Sequence, residues 1–235
     1  MFIEWSDTGT YHVEQKKENE DAIVSIKDGL DAAIALCDGV STCEHSRKGS
    51  WIACKSLCNF FIRKKSKLAH YDHKTIAKKA VAHILYDLKK RADADGDTIE
   101  SLSSTAACVV YDDEKKKLLC ISIGDSLVGG ISKQGFEALI KPQKCSTGCY
   151  VTTTKGVERV ARVLTIDAEK YDAVFICSDG MWKQFYDRGK ISNDFKEYLD
   201  REEFNLLIDK IRDNKSFDDR SIIVMNLNHQ KGATE

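Results

Sequence analysis

The chain has 235 residues, 42% hydrophobic and 31% charged, a balance that supports a buried core and excludes a disordered or fibrous polypeptide. Its 36 Lys and Arg stand against 37 Asp and Glu, so no overall field draws it to nucleic acid or to an anionic membrane, and phosphate recognition has to be local. No basic-then-apolar leader opens the sequence and no run of about 18 apolar residues occurs, which disfavours secretion and membrane spanning.

In chain order, a short strand is expected at residues 1–5, then a polar loop through Lys16 and Lys17, then apolar strands at 22–26 and 32–37. From Ser50 to Lys64, Trp51, Ile52, Cys54, Leu57, Cys58 and Phe61 recur at three and four residues; from His73 to Arg91, Ile76, Ala80, Ile84, Leu85 and Leu88 do the same. That spacing predicts two adjacent amphipathic helices. Past the polar stretch 92–100 the period shortens to two, and strands at 105–111 and 118–123 flank the charged turn 112–117 as a hairpin. Further strands are expected at 127–132, 157–166, 173–177 and 221–227, with a helix at 201–212 before the last. Segment 141–156, which holds the only proline, Pro142, reads as an irregular excursion. This order argues against βαβ winding and for an α+β layered fold, and without a Gly/Ser linker the whole chain, 1–235, is expected to form one domain.

Nine cysteines, an odd number without a C-x-x-C pair, argue against a disulfide framework or a zinc ribbon. Several lie in apolar runs and read as reduced core residues of a cytoplasmic protein; no local pattern activates one as a nucleophile.

Two segments share one design. Asp31-Ala-Ala-Ile-Ala-Leu-Cys-Asp38-Gly39 and Asp172-Ala-Val-Phe-Ile-Cys-Ser-Asp179-Gly180 are each an apolar strand ended by an acid and a glycine. A continuous apolar run marks a strand buried on both faces, so the acid emerges at the rim of the core. Taken singly, Asp-Gly after a strand is most often only a turn. Here Gly124-Asp125 ends a third strand, Asp218-Asp219 precedes a fourth and Glu20-Asp21 a fifth. Carboxylates gathered at strand ends repel one another unless cations neutralise them, and an all-oxygen set suits Mg²⁺ or Mn²⁺ rather than zinc.

Asn19-Glu20-Asp21-Ala22, Asp38-Gly39, Ser104-Thr105-Ala106, Gly124-Asp125-Ser126, Ser178-Asp179-Gly180-Met181-Trp182 and Asp218-Asp219-Arg220-Ser221-Ile222 follow one another in this order. In them the chain resembles, over nearly its whole length, the metal-dependent 2C-type serine/threonine protein phosphatases of the shorter bacterial-type branch. The resemblance implies a four-layer αββα sandwich: two antiparallel β-sheets flanked by helix pairs, with the metal site between the sheet ends. It implies that Asp38 bridges two Mg²⁺ or Mn²⁺ ions, that the Gly39 carbonyl binds one of them, and that Asp179 and Asp218 complete the other. Glu20 and Asp21 would hold metal-bound waters, and Asp125 with Asp179 a weaker third ion. The implied reaction is hydrolysis of phosphoserine or phosphothreonine on a protein substrate, opposed by a partner kinase, through in-line attack of a metal-bridging hydroxide.

The chain also departs from that pattern. Lys16 stands where many relatives carry a phosphate-gripping arginine, so the charge is kept but the bidentate fork is not, and Lys17 or His12 could share the task. A solvated basic loop is the plainer reading of Lys16. Val40-Ser41-Thr42 replaces the histidine proposed elsewhere as general acid, leaving water or His45 for that role; His45 could equally open the next helix, with Ser46 as its cap. The arginine that commonly follows Gly-Asp-Ser is missing. Asn is common in the family at the place of Asp219, so Asp219→Asn is expected to be tolerated and Asp218 is expected to be the ligand. A phosphatase-like binding module and a phosphohydrolase of small esters remain the alternatives.

Overall fold

The computed structural model describes residues 2–145, 148–187 and 189–227. Met1, the start of the first expected strand, and residues 146–147 of the excursion lie outside them. The chain runs β1 (Phe2–Asp7), α1 (Thr10–Glu14), β2 (Ala22–Asp28), β3 (Asp31–Cys37), α2 (Ser46–Leu68), α3 (His73–Asp95), β4 (Ala106–Asp112), β5 (Lys117–Ile123), β6 (Leu127–Ser132) and β7 (Gly135–Ile140). It continues through β8 (Lys144–Cys145), β9 (Gly148–Cys149), β10 (Arg162–Asp167), β11 (Ala173–Cys177), α4 (Asp179–Trp182), β12 (Tyr186–Asp187), β13 (Lys190–Ile191), α5 (Asn193–Asp200), α6 (Phe204–Arg212) and β14 (Arg220–Asn226).

Two five-stranded antiparallel sheets, ordered β1-β14-β11-β6-β7 and β10-β5-β4-β3-β2, stack face to face. The alternation of side chains along a strand explains why the central strands are apolar throughout. On β3, Ala33, Ala35 and Cys37 face α2 and α3, while Ala32, Ile34 and Leu36 face the other sheet. On β11, Phe175 and Cys177 meet the layer of α5 and α6, while Val174 and Ile176 meet the opposite sheet. This is the expected αββα sandwich of two antiparallel sheets with helix layers.

Both long helices exceed their apolar patterns. The first turn of α2 buries Ser46, Gly49 and Ser50, where an added Cβ at Gly49 would lie 1.9 Å from the Leu102 carbonyl oxygen. Small residues therefore let the turn approach the neighbouring backbone, and the period of large apolar residues starts only after it. His45 occupies the cap position without a side-chain cap bond, and Ser46 lies inside the helix. Asp72 caps α3 by accepting from the Thr75 amide at 2.7 Å, and Gly96, at φ +75°, ends it.

Two expectations are corrected, and one strand is new. Residues 157–159 form a 3₁₀ turn entered through Gly156, and only Arg162–Asp167 pairs as a strand. The helix expected at 201–212 begins at Phe204, and α5 precedes it, burying only Phe195 and Leu199. Edge strand β7 is not legible in the sequence, since its residues alternate poorly and it gains its partner only from β6. Cys37, Cys43, Cys54, Cys58, Cys108, Cys120, Cys149 and Cys177 are free thiols, and Cys54 and Cys58 direct theirs to the carbonyls of Ala22 and Val24 at 3.2 and 3.7 Å. Among the described residues no helix is long and apolar enough to cross a membrane.

Candidate active site

Strand register brings the predicted acids together. Ala22 pairs with Cys37, so Asp21 and Asp38 leave adjacent strands at the same end. Ala106 pairs with Ile123, which sets Thr105 beside the Gly124-Asp125 exit; Cys177 pairs with Ile222, which sets Ser178 and Asp179 beside the entry to β14. The two sheets open at this end onto a cleft of about 290 Å³, lined by Asp38, Gly39, Asp125, Asp179, Asp218 and Asp219 among others. A larger groove of about 930 Å³ between α3, β7 and β10 has a basic and apolar lining with one acid, Glu158, and lies apart from these residues.

Backbone locks fix each acid. The Asp38 amide donates to Thr105 Oγ1 at 2.9 Å, and the Thr105 amide donates back to the Asp38 carbonyl at 2.7 Å. Gly39 lies so close to the Glu20 backbone that a Cβ would come within 2.8 Å of its carbonyl oxygen. Gly180 is tighter still, at 2.2 Å from the Asp219 carbonyl, so Asp179 can begin α4 directly against the loop before β14. Trp182 Nε1 donates to the Asp125 carbonyl at 2.7 Å and ties that loop to α4.

The two neighbours before β14 go separate ways. Asp219 is buried and accepts from the Gly9 amide (2.7 Å), the Glu20 amide (2.7 Å) and His12 Nδ1 (2.8 Å). His12 Nε2 lies 3.3 Å from Glu20, so the histidine is a buried link between two acids. Asp218 is about half exposed, and Lys183 Nζ stands 3.1 Å from it and 2.6 Å from Asp179. Sequence reasoning missed Lys183; its i,i+4 spacing from Asp179 on one helix is the signal that could have found it.

Lys16 is exposed on a turn at φ +54° and is not among the residues lining the cleft. Lys17 reaches the rim instead, donating to the Ser41 carbonyl at 3.2 Å and standing 3.7 Å from Glu20. His45 pairs with Asp97 at 3.2 Å and does not line the cleft.

The electrostatics are those of crowded acids. Burial first, then the charges of Asp21, Asp179 and Asp125, holds the Asp38 carboxyl well above the usual carboxylate range. Burial lifts Asp21 to about 7, with Asp219 and Asp179 adding like charge. Its oxygens are sealed from solvent near the hydroxyls of Ser221 and Ser178, without a donor in hydrogen-bonding geometry. Asp125 is raised by burial and Asp179, moderated by Lys144 and Lys183. Cys149 also lines the cleft, but burial, Asp125 and Asp38 push its thiol up to about 12, so it is no nucleophile at neutral pH.

The protein phosphatase 2C family model matches residues 8–212. The chain belongs to that family. No curated protein matches it in sequence. Among solved structures this phosphatase 2C chain is similar to a bacterial serine phosphatase, with a TM-score of 0.69, 18% identity, and coverage of 95% of this chain and 96% of that one. It is similar to the serine/threonine phosphatase Stp1 from Staphylococcus aureus, with a TM-score of 0.68, 17% identity and coverage of 96% and 94%. It is also similar to RsbX in complex with magnesium, with a TM-score of 0.60, 15% identity and coverage of 95% and 92%.

Metal ions fit this donor set: the acids are hard oxygen ligands, and Asp21 holds two buried oxygens without donors. Among the described residues no three of these side chains already close around a common point. In the metal-free protein the raised acids carry a pH signature. An acid whose folded pKa exceeds its unfolded value near 3.8 holds its proton longer in the folded state, so stability falls as pH rises from about 4 through about 7. In excess chelator the melting temperature is expected to be higher at pH 5 than at pH 8, by a difference of a few kcal/mol in unfolding free energy. A melting temperature that rises from pH 5 to pH 8 would contradict this.

Proposed function

We propose that this phosphatase 2C chain hydrolyses phosphoserine and phosphothreonine on proteins with the help of Mg²⁺ or Mn²⁺. The observation that carries the reading is the convergence of Asp38, Asp125 and Asp179 on one cleft with Asp21 buried beside it, where burial and neighbouring carboxylates raise Asp21, Asp38 and Asp125. Asp38, the Gly39 carbonyl, Asp179 and Asp218 would hold two ions, Glu20 and Asp21 would hold water beside them, and Asp125 would serve a weaker third. The bonds that consume Asp219 support Asp218 as the ligand. When bound, the ions supply positive charge for the phosphoryl oxygens and make water in the cleft a better nucleophile at neutral pH.

The chain's own residues do the rest. Thr105 fixes the Asp38 backbone beside the cleft, and Asp219 clamps helix α1, which carries His12, to the segment carrying Glu20. Tyr11 and Phe217, with ring centroids 5.1 Å apart, flank the cleft and supply an apolar wall beside the acids. The cation that meets the substrate phosphate is proposed to be Lys17, held at the rim by Ser41, with Lys16 adding charge from the exposed turn. Lys17→Ala is expected to raise KM by about fivefold with little change in Mn²⁺ affinity, and Lys16→Ala to raise it less, since an exposed cation contributes under about 1 kcal/mol. Equal or null effects on KM would remove Lys17 from substrate binding. Phosphoproteins, a partner kinase and a cytoplasmic location complete the proposal.

Hydrolysis of a phosphothreonine peptide and of an aryl phosphate, each with Mn²⁺ and with excess chelator, tests the reading. Turnover of both with Mn²⁺ and of neither in chelator is expected. Full turnover in chelator would overturn metal dependence, hydrolysis of the aryl ester alone would indicate a small-ester enzyme, and peptide binding without turnover a phosphate-sensing module.

A further inference from the structure

Among the described residues Lys183 is the ammonium paired directly with two acids of the cluster, while Lys144 acts on Asp125 from farther off. Lys183 follows Asp179 by one helical turn, and its ammonium stands 2.6 Å from Asp179 and 3.1 Å from Asp218. It also moderates the charge of Asp125 from the same side, where Trp182 Nε1 ties the Asp125 backbone to α4 at 2.7 Å. On the opposite side of the cleft Asp219 is held differently, by two amides and His12, and Glu20 lies 3.3 Å from His12 and 3.7 Å from Lys17. Asp21 and Asp38 have no cation partner of comparable closeness among the described residues. The cluster is therefore asymmetric: its Asp38–Asp21 half is bare, and its Asp179–Asp218 half is already compensated.

On the reading that the cleft holds divalent ions, we propose that Lys183 is a tethered counter-cation that competes with metal for the Asp179–Asp218–Asp125 side of the cluster. A divalent ion entering the bare half meets only carboxylates and neutralises their repulsion. An ion entering the other half must first displace an ammonium that two carboxylates hold, and then sits within a few ångströms of its charge. The two halves consequently differ in affinity, and the weak third site expected from Asp125 and Asp179 is closed while Lys183 points inward. The side chain is partly exposed and flexible enough to swing out toward solvent, so the competition is reversible.

Mn²⁺ binding to the full chain, measured by titration calorimetry and by the free-ion electron paramagnetic resonance signal, tests this without reference to turnover. Lys183→Met keeps the length and apolar stem and removes the charge; Lys183→Arg keeps the charge. The wild-type protein is expected to bind one Mn²⁺ tightly and a further one weakly. Lys183→Met should tighten the weak step by about tenfold or more, or add a binding step, because a nearby like charge has been removed. Lys183→Arg should behave as wild type. In chelator, Lys183→Met should melt about 2–4 °C lower, having lost the nearest counter-cation of that half, and Mn²⁺ should restore it. Identical affinities and stoichiometry in wild type and Lys183→Met would overturn the competition while leaving metal dependence intact. Failure of both proteins to bind Mn²⁺ would overturn the metal reading itself, and the competition with it.

Discussion

Asp38→Asn is expected to lower kcat by about 10³-fold or more and, at the same time, to raise the melting temperature of the chelated protein at pH 8. Both effects come from one cause. Asp38 sits where burial and the charges of Asp21, Asp179 and Asp125 penalise its ionised form, so the folded, metal-free chain is destabilised by that carboxylate. Asn mimics the neutral acid in shape and relieves the repulsion, while its amide cannot balance two divalent ions. The stabilisation is expected to be about 2–4 °C for a chain of this size if 1 kcal/mol is relieved. Turnover near the wild-type rate would remove Asp38 from its central role. A lowered melting temperature in chelator would show that the cluster is not strained as its electrostatics indicate.

Asp219→Ala should be the most destabilising change around the cleft, by about 3 kcal/mol or more, and should do its damage through folding rather than metal affinity. Its two oxygens gather the Gly9 amide, the Glu20 amide and His12, which join the start of α1 to the segment before β2, and all lie out of water. Removing the carboxylate leaves two buried N–H groups and an imidazole without their acceptor. The family pattern suggests that Asn would be tolerated here. In this chain one oxygen faces the Gly9 N–H and the other the Glu20 N–H, so the amide NH₂ of Asn must meet a donor whichever way it turns. Asp219→Asn is therefore expected to cost about 1–3 kcal/mol in chemical denaturation, a smaller loss than Ala, while retaining Mn²⁺ binding below its melting temperature. Asp218→Asn should show the complementary pattern, an unchanged denaturation midpoint with weakened Mn²⁺ binding, since its carboxylate is half exposed and meets Lys183 rather than buried amides. A reversal of the two phenotypes would move the ligand from Asp218 to Asp219.

Much of this arrangement was determined by the sequence alone. The continuous apolar runs ending in Asp38-Gly39 and Asp179-Gly180 read as strands buried on both faces, because a half-exposed strand would alternate. On that reading the acids emerge at strand ends and the glycines permit a sharp exit; the 2.8 and 2.2 Å approaches at Gly39 and Gly180 show neighbouring backbone where a side chain would lie. Local periodicity likewise identified α2 and α3 and the β4–β5 hairpin.

What only the tertiary structure decided were partners distant in the chain. Register between β2 and β3, and between β11 and β14, selects which acids share the cleft, and the second of these rests on pairs such as Cys177 with Ile222, which three helices and a hairpin separate in the sequence. Asp218 and Asp219 are chemically identical and adjacent in sequence; they were separated by what surrounds them, a surface lysine for one and two buried amides with a histidine for the other. The first turn of α2 escaped periodicity because close backbone approach selects small residues rather than large apolar ones, and β7 because an edge strand draws its definition from its neighbour. Lys183 was visible as a residue but not as a counter-ion, since a charge acquires that role only from the carboxylates that folding places around it.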